Sequence, residues 1–364
     1  MPTYIYEYES WPEFTWDQSL IAKRLAEIRF QQGSLIGKMG MLGFALKEEA
    51  NLYNLTQDVL QSSAIEGEFL NREEIRSSIA KKLGLNSPSK TTISKSVEGI
   101  VEITLDATRN TTTPLTKNRI CGWHNNLFPN GFSGMLKTQT GQYRTGRMQV
   151  VSGAYGKEKI HFEAVPPNRV NKEMTHFLKW INTNKTVDPI LMAAIAHFRF
   201  IIIHPFDDGN GRIARAISDH LLAISDNQKD RFYSLSHQLL LDKKNYYAIL
   251  QKTQHQQSDI TAWILWFLNC LEKAFIHSEE IIKKSLRNHL FWEHHETTPL
   301  NERQRKMIIC MQNGIEGKMQ SSKWAKMAKC SQDTALRDIQ DLISKKILVQ
   351  ENTSGRNTSY ILNY

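Results

Sequence analysis

Cysteine is scarce in this chain. The four in 364 residues, Cys121, Cys270, Cys310 and Cys330, are scattered without metal-like spacing. They read as buried or free thiols and make a reducing cytoplasm the expected location. Long hydrophobic runs are missing as well: the most apolar stretch, 191–206, carries His197 and Arg199 and is too short to span a bilayer, so no membrane partner is expected. The start, MPTYIYEYESWPEFTWD, has neither a basic beginning nor an apolar core, so no secretory signal is expected. Its Trp11, Phe14 and Trp16 are expected to pack on the rest of the protein, with a partner-binding edge as the alternative. A metal-binding histidine pattern is absent too, because His289, His294 and His295 are five and six apart rather than four. What remains is ordinary globular material, 40% hydrophobic and 23% charged, with room for two or three domains.

One run of residues stands out, His204-Pro205-Phe206-Asp207-Asp208-Gly209-Asn210-Gly211-Arg212, with Arg215 three positions later. Upstream, residues 191–203 are largely apolar and read as a buried helix. Downstream, Ile213, Ile217, Leu221 and Leu222 have helical spacing. The polar run therefore sits between two helices, with Gly209 to Gly211 opening the second, where free N–H groups and the positive end of the dipole suit phosphate. Each residue type then has a task. His204 can accept a proton from a hydroxyl, and Asp208 is a hard oxygen ligand for Mg²⁺. Gly209 and Gly211 let backbone approach phosphate, and the Asn210 side chain can hydrogen-bond to it. Arg212 and Arg215 share a helix face and can hold the outer phosphates. Phe206 is expected to pack inward. A calcium loop is excluded, since counting from Asp207 puts Gly209 at position 3 and counting from Asp208 puts Arg212 at position 5. A plain surface turn explains the glycines but neither the histidine nor the arginines.

HPFDDGNGRIAR resembles the signature of the Fic family, HxFx(D/E)GNGRxxR, at every fixed position. The resemblance implies a mainly α, Fic helical-bundle fold and the transfer of AMP from ATP, with Mg²⁺, to a Ser, Thr or Tyr hydroxyl of a target protein. It implies His204 as general base, Asp208 as metal ligand, Gly209 to Gly211 as anion hole, and Arg212 and Arg215 along the phosphate chain. Ser62-x-x-x-Glu66-Gly67 resembles the family's inhibitory pattern, (S/T)xxxE(G/N), in which Glu66 pairs with the last arginine, here Arg215. The spacing of Leu52, Leu55, Val59 and Leu60 puts Glu66 near a helix C-terminus, where a carboxylate needs a cation. Some relatives also use this glutamate to remove AMP; the sequence leaves that open.

Met148 to Val151, a turn over 152–156, and Lys159 to Phe162 read as a β-hairpin. It resembles the family's target-docking flap, with Val150, Val151, Lys159, Ile160 and His161 as its contact residues. An ordinary surface hairpin is the alternative. Tyr246 and Tyr247, on an aromatic helical segment, are candidates to stack on adenine, although aromatics at that spacing also suit a core.

The chain's last stretch reads as a winged helix-turn-helix: helices over 301–311, 321–328 and 331–345, then strands around Leu348 and Ile361 joined by a turn at 353–357. Ala335, Leu336, Ile339, Leu342 and Ile343 are expected on the buried side of the third helix, and Thr334 or Arg337 would face bases. Residues 301–364 hold eleven Lys/Arg against six Asp/Glu, within a net charge of +9 for the chain. DNA and a protein partner both remain open for this part, as does a homodimer. The expected organisation is an N-terminal segment with the inhibitory helix (1–85), a Fic catalytic domain (86–285), a linker (286–300) and the winged helix (301–364). The alternative to a protein adenylyltransferase is a DNA-binding regulator whose Fic domain senses nucleotide or modifies itself.

Overall fold

The structure, a computed structural model, describes residues 2–85, 92–152, 159–351 and 358–364, with backbone alone at 151, 152 and 159. The expected turns at 153–156 and 353–357 lie outside the described residues, as do the side chains of Val151 and Lys159. The chain separates into two compact units, Met1–Glu279 and Glu280–Tyr364.

Helices dominate the first unit. They begin with α1 (Gln18–Gly40), α2 (Phe44–Ile65), α3 (Arg72–Leu83), α4 (Lys95–Arg109) and α5 (Lys117–Leu127). Two short antiparallel pairs follow, β1 (Phe132–Ser133) with β2 (Leu136–Lys137), and β3 (Gln149–Ser152) with β4 (Lys159–Glu163). Then come α6 (Pro167–Thr183), α7 (Pro189–Ile203), α8 (Asn210–Asp226), α9 (Leu235–Leu241), α10 (Lys243–Thr253) and the long α11 (Thr261–His294), whose residues from Glu280 on belong to the second unit. Residues 286–294, expected as the beginning of a linker, are the last turns of α11.

Local signals account for the helix limits. Asp188 accepts the Ile190 N–H at the start of α7 and Pro189 occupies its first turn, where its missing N–H costs nothing. Asn71 caps α3 at one end, and Gly84 ends it in a left-handed conformation. Helix α7 is apolar all round, so burial on every side is its stable solution; of its fifteen residues only Pro189 and Ile201 are not buried. It lies against α8, and α2 and α4 also pack on α8. The aromatic N-terminus packs on this body: Ile5 and Tyr6 are buried, and the Trp11 indole donates to Glu173 at 2.8 Å.

The second unit holds α12 (Glu302–Asn313), α13 (Ser321–Ala328), α14 (Gln332–Ser344) and the antiparallel pair β5 (Leu348–Gln350) and β6 (Tyr360–Leu362). Its core gathers Phe291, Met307, Ile308, Trp324, Ile339 and Leu348. Ala335, Ile339 and Leu342 of α14 are buried as expected, but Leu336 is half-buried and Ile343 exposed, each about 100° round the helix from a buried neighbour. Among the described residues, no helix is long and apolar enough to cross a membrane.

Candidate active site

The polar run forms a turn between α7 and α8. His204 ends α7 in a left-handed conformation (φ 49°, ψ 62°), unusual for a residue with a Cβ. Its Nδ1 lies 3.2 Å from the Ile201 carbonyl, which fixes the proton on Nδ1 and leaves Nε2 as the basic nitrogen. Burial lowers the pKa of His204 to about 4, and the Arg144 cation adds to the effect. The imidazole is therefore neutral near pH 7.

Phe206 anchors the turn, fully buried and stacked on His124 with ring centroids 4.0 Å apart. The Asn210 side chain ties the turn to Phe206. Its side-chain oxygen accepts the Phe206 N–H at 3.0 Å and its amide donates to the Phe206 carbonyl at 2.7 Å. Both polar atoms of the side chain thus hold the turn, and the backbone N–H of Asn210 opens α8. Gly209 (φ 77°) precedes α8, whose first intrahelical bond runs from the Ile213 N–H to the Gly209 carbonyl. The N–H groups of Asn210, Gly211 and Arg212 come before that bond and point out of the helix start. Asp208 is exposed; its carboxylate accepts the Gly209 N–H at 2.5 Å and the Ser133 hydroxyl from the β1–β2 hairpin.

Both arginines meet acids from the end of α2. Arg215, 1% exposed, donates from Nη2 to Glu66 Oε1 at 2.8 Å and to the Ser62 carbonyl at 2.9 Å, and from Nε to Ser62 Oγ at 2.9 Å. Burial would lower the pKa of Arg215, but the Glu66 carboxylate more than offsets it and keeps the guanidinium charged. Arg212 donates to Glu68 at 2.5 Å, a partner the sequence did not reveal. Among the described residues, Arg212 Nε and Arg215 Nη1 are buried without a hydrogen-bond acceptor. Gly211 leaves room for the Glu66 carboxylate, which a Cβ there would strike.

The turn, the start of α8 and Glu66 border a cleft of about 650 Å³, whose lining does not include the side chains of Arg212 and Arg215. Glu66, His204, Asp208 to Gly211, Tyr246 and Tyr247 all line it. Tyr246 is buried, with its hydroxyl 2.8 Å from His197 Nε2 and its ring stacked on Trp266, whereas Tyr247 keeps 44% of its surface exposed. Val150, His161 and Phe162 of the β3–β4 pair close another side. The register runs from Val150 opposite Phe162 to Val151 opposite Ile160, so His161 is the extra residue of a bulge. Ile160 is exposed and does not line the cleft.

A family model described as Fic/DOC family matches residues 114–222, and one described as a domain of unknown function (DUF4172) matches residues 4–85, which include Ser62 and Glu66. The protein adenylyltransferase fic-1 of Caenorhabditis elegans is 43% identical over 58 residues, 15% of this chain and 11% of that protein. The protein adenylyltransferase Fic of Nematostella vectensis is 30% identical over 110 residues, 30% of this chain and 24% of the relative. The matches thus span a quarter or less of these curated relatives. In overall fold, the chain resembles the crystal structure of a Fic family protein from Desulfovibrio desulfuricans G20, with a TM-score of 0.54 at 20% identity over 96% of this chain and 98% of the other. Residues 114–222, which contain the whole turn between α7 and α8, are therefore a Fic/DOC family domain.

Proposed function

We propose that this protein is a protein adenylyltransferase. The observation that carries the reading is one cleft edged by a neutral histidine with a basic Nε2, an exposed carboxylate and a helix start with free N–H groups, on whose helix stand two buried arginines. Buried guanidinium nitrogens without acceptors call for an anion. A triphosphate laid along the start of α8 supplies one, with its outer phosphates on Arg212 and Arg215. Tyr247 has the exposed ring to cover the base. The oxygen of a Ser, Thr or Tyr hydroxyl attacks the α-phosphorus as its proton passes to His204 Nε2. The bond from that phosphorus to the β-bridging oxygen breaks, and pyrophosphate leaves.

Asp208 fits a Mg²⁺ site, because Mg²⁺ takes one or two protein carboxylates together with substrate phosphates. When bound, the ion neutralises phosphate charge.

The Glu66–Arg215 pair supports autoinhibition: with Arg215 held by Glu66 and Ser62, the outer phosphate has lost its ligand. The two-stranded β3–β4 sheet is a scaffold to which an extended target segment can add a strand. Four free cysteines agree with a cytoplasmic enzyme. The second unit, three helices followed by an antiparallel pair, supports a winged helix that selects a target or a location. Its charge and the exposed Arg337 on α14 favour a second reading, a DNA-bound regulator.

The test uses Glu66→Gly with Mg²⁺ and either α- or γ-labelled ATP, with and without cell lysate. Protein should take label from the α-phosphate alone and lose it when His204→Ala or Asp208→Ala is added. Label from the γ-phosphate, or label that survives His204→Ala, would overturn the reading.

A further inference from the structure

Helix α7 ends with its last carbonyls lacking helical partners, and one of them belongs to His204. The group that satisfies them comes from outside the turn. Arg144 is 2% exposed and lies 60 residues earlier in the chain. Its Nε donates to the His204 carbonyl at 2.6 Å and its Nη2 to the Ile203 carbonyl at 3.2 Å. Its backbone N–H donates to the Pro205 carbonyl at 2.8 Å. Three consecutive carbonyls across the left-handed bend thus converge on one residue.

The same guanidinium reaches the base of the β3–β4 hairpin. Nη1 donates to the Gly146 carbonyl at 2.7 Å, just before β3, and Nη2 to the Val165 carbonyl at 2.5 Å, just after β4. Between those points the Ala164 N–H meets the Met148 carbonyl at 2.9 Å and closes the hairpin. A charge buried this deeply is usually paired with a carboxylate. Here the acceptors are four backbone carbonyls, whose positions a planar fork of donors can fix together.

We propose that Arg144 is a positioning residue for the transfer reaction: its guanidinium locks His204 in the left-handed conformation and joins both ends of the β3–β4 hairpin to it. This rests on the adenylyltransferase reading, because that reaction gives His204 its proton to accept. The phosphate-binding side of the cleft, on α8, makes no bond to Arg144. Losing the fork therefore spoils the aim of His204 without removing the ATP site. Lysine cannot replace it, since one ammonium cannot address four carbonyls lying in different directions.

The experiment compares Glu66→Gly with Glu66→Gly/Arg144→Lys and Glu66→Gly/Arg144→Met, using steady-state label transfer and amide hydrogen exchange. Both double variants should lose about 10²-fold in kcat, the cost of a misplaced catalytic group, with the KM for ATP little changed. Exchange should quicken in peptides covering 144–149 and 163–166 and in 203–206, while α8 and α4 stay protected. A variant that merely fails to fold would lose protection in α8 too, and the lysine variant, which keeps the stem and the charge, then gives the decisive comparison. Unchanged kcat in Glu66→Gly/Arg144→Lys, or a loss confined to the KM for ATP, overturns the assignment. If Glu66→Gly transfers nothing, the adenylyltransferase reading fails instead. The exchange pattern then decides by itself whether Arg144 holds the turn and the hairpin together.

Discussion

Burial, with the Arg144 cation adding to it, makes His204 a base that stays neutral well below the ordinary histidine range, with a pKa of about 4. The sign of the effect gives a pH profile. A base works only when unprotonated, so activity should fall as pH drops through the folded value rather than near 6.5. Between pH 7.5 and 5.5, Glu66→Gly should show no histidine-dependent loss in kcat/KM, where an ordinary histidine would lose about tenfold. An acidic limb near 6.5 would contradict the buried, neutral imidazole. At this scale the clustering of His204, Asp208 and the two arginines at one turn was legible, because they lie within twelve residues of sequence. The roles of Asn210, Glu68 and Arg144 were not. Asn210 is spent on Phe206, Glu68 finds Arg212 across 144 residues, and Arg144 acts through carbonyls that exist only once α7 has ended.

Helix α2 delivers Glu66 and Ser62 as one element, and its end is where stability and activity should trade against each other. Glu66→Gly leaves Arg215 buried without its carboxylate partner, while the two Ser62 contacts remain. Without nucleotide, the variant should be less stable by about 1–3 kcal/mol, read from denaturant midpoints. Added ATP should restore more stability to the variant than to wild type, since phosphate replaces the missing carboxylate. Equal stabilisation of both by ATP would show that Glu66 does not compete for Arg215. Glu68→Ala should cost less than about 1 kcal/mol, because the Glu68 side chain is 49% exposed and its pair is screened. The α7 and α8 helices were readable from apolar spacing alone. The β3–β4 register was not, because strand alternation does not announce a bulge, and this one falls at His161. The long α11 was readable in principle, since no glycine or proline interrupts 281–298.

At the scale of the whole molecule, the turn between α7 and α8 identified the family domain, while the second unit offers only pattern and charge. Unit two carries the exposed Arg337 midway along α14, the helix in the position of a recognition helix. If it binds DNA, retention should fall steeply with salt, survive His204→Ala, and lose about one unit of salt slope in Arg337→Ala. Salt-insensitive retention, or none, would leave that unit as a protein-docking module. Charge alone could not separate the two in the sequence, because a modest excess of lysine and arginine suits either surface.

The central claim is that Glu66 withholds Arg215 from ATP, and the most direct measurement is the ratio of α-phosphate label transferred by Glu66→Gly to that transferred by wild type under the same conditions. A Glu66-in state favoured by ~3 kcal/mol predicts a ratio on the order of 10². A ratio near one, with both proteins active, would contradict it.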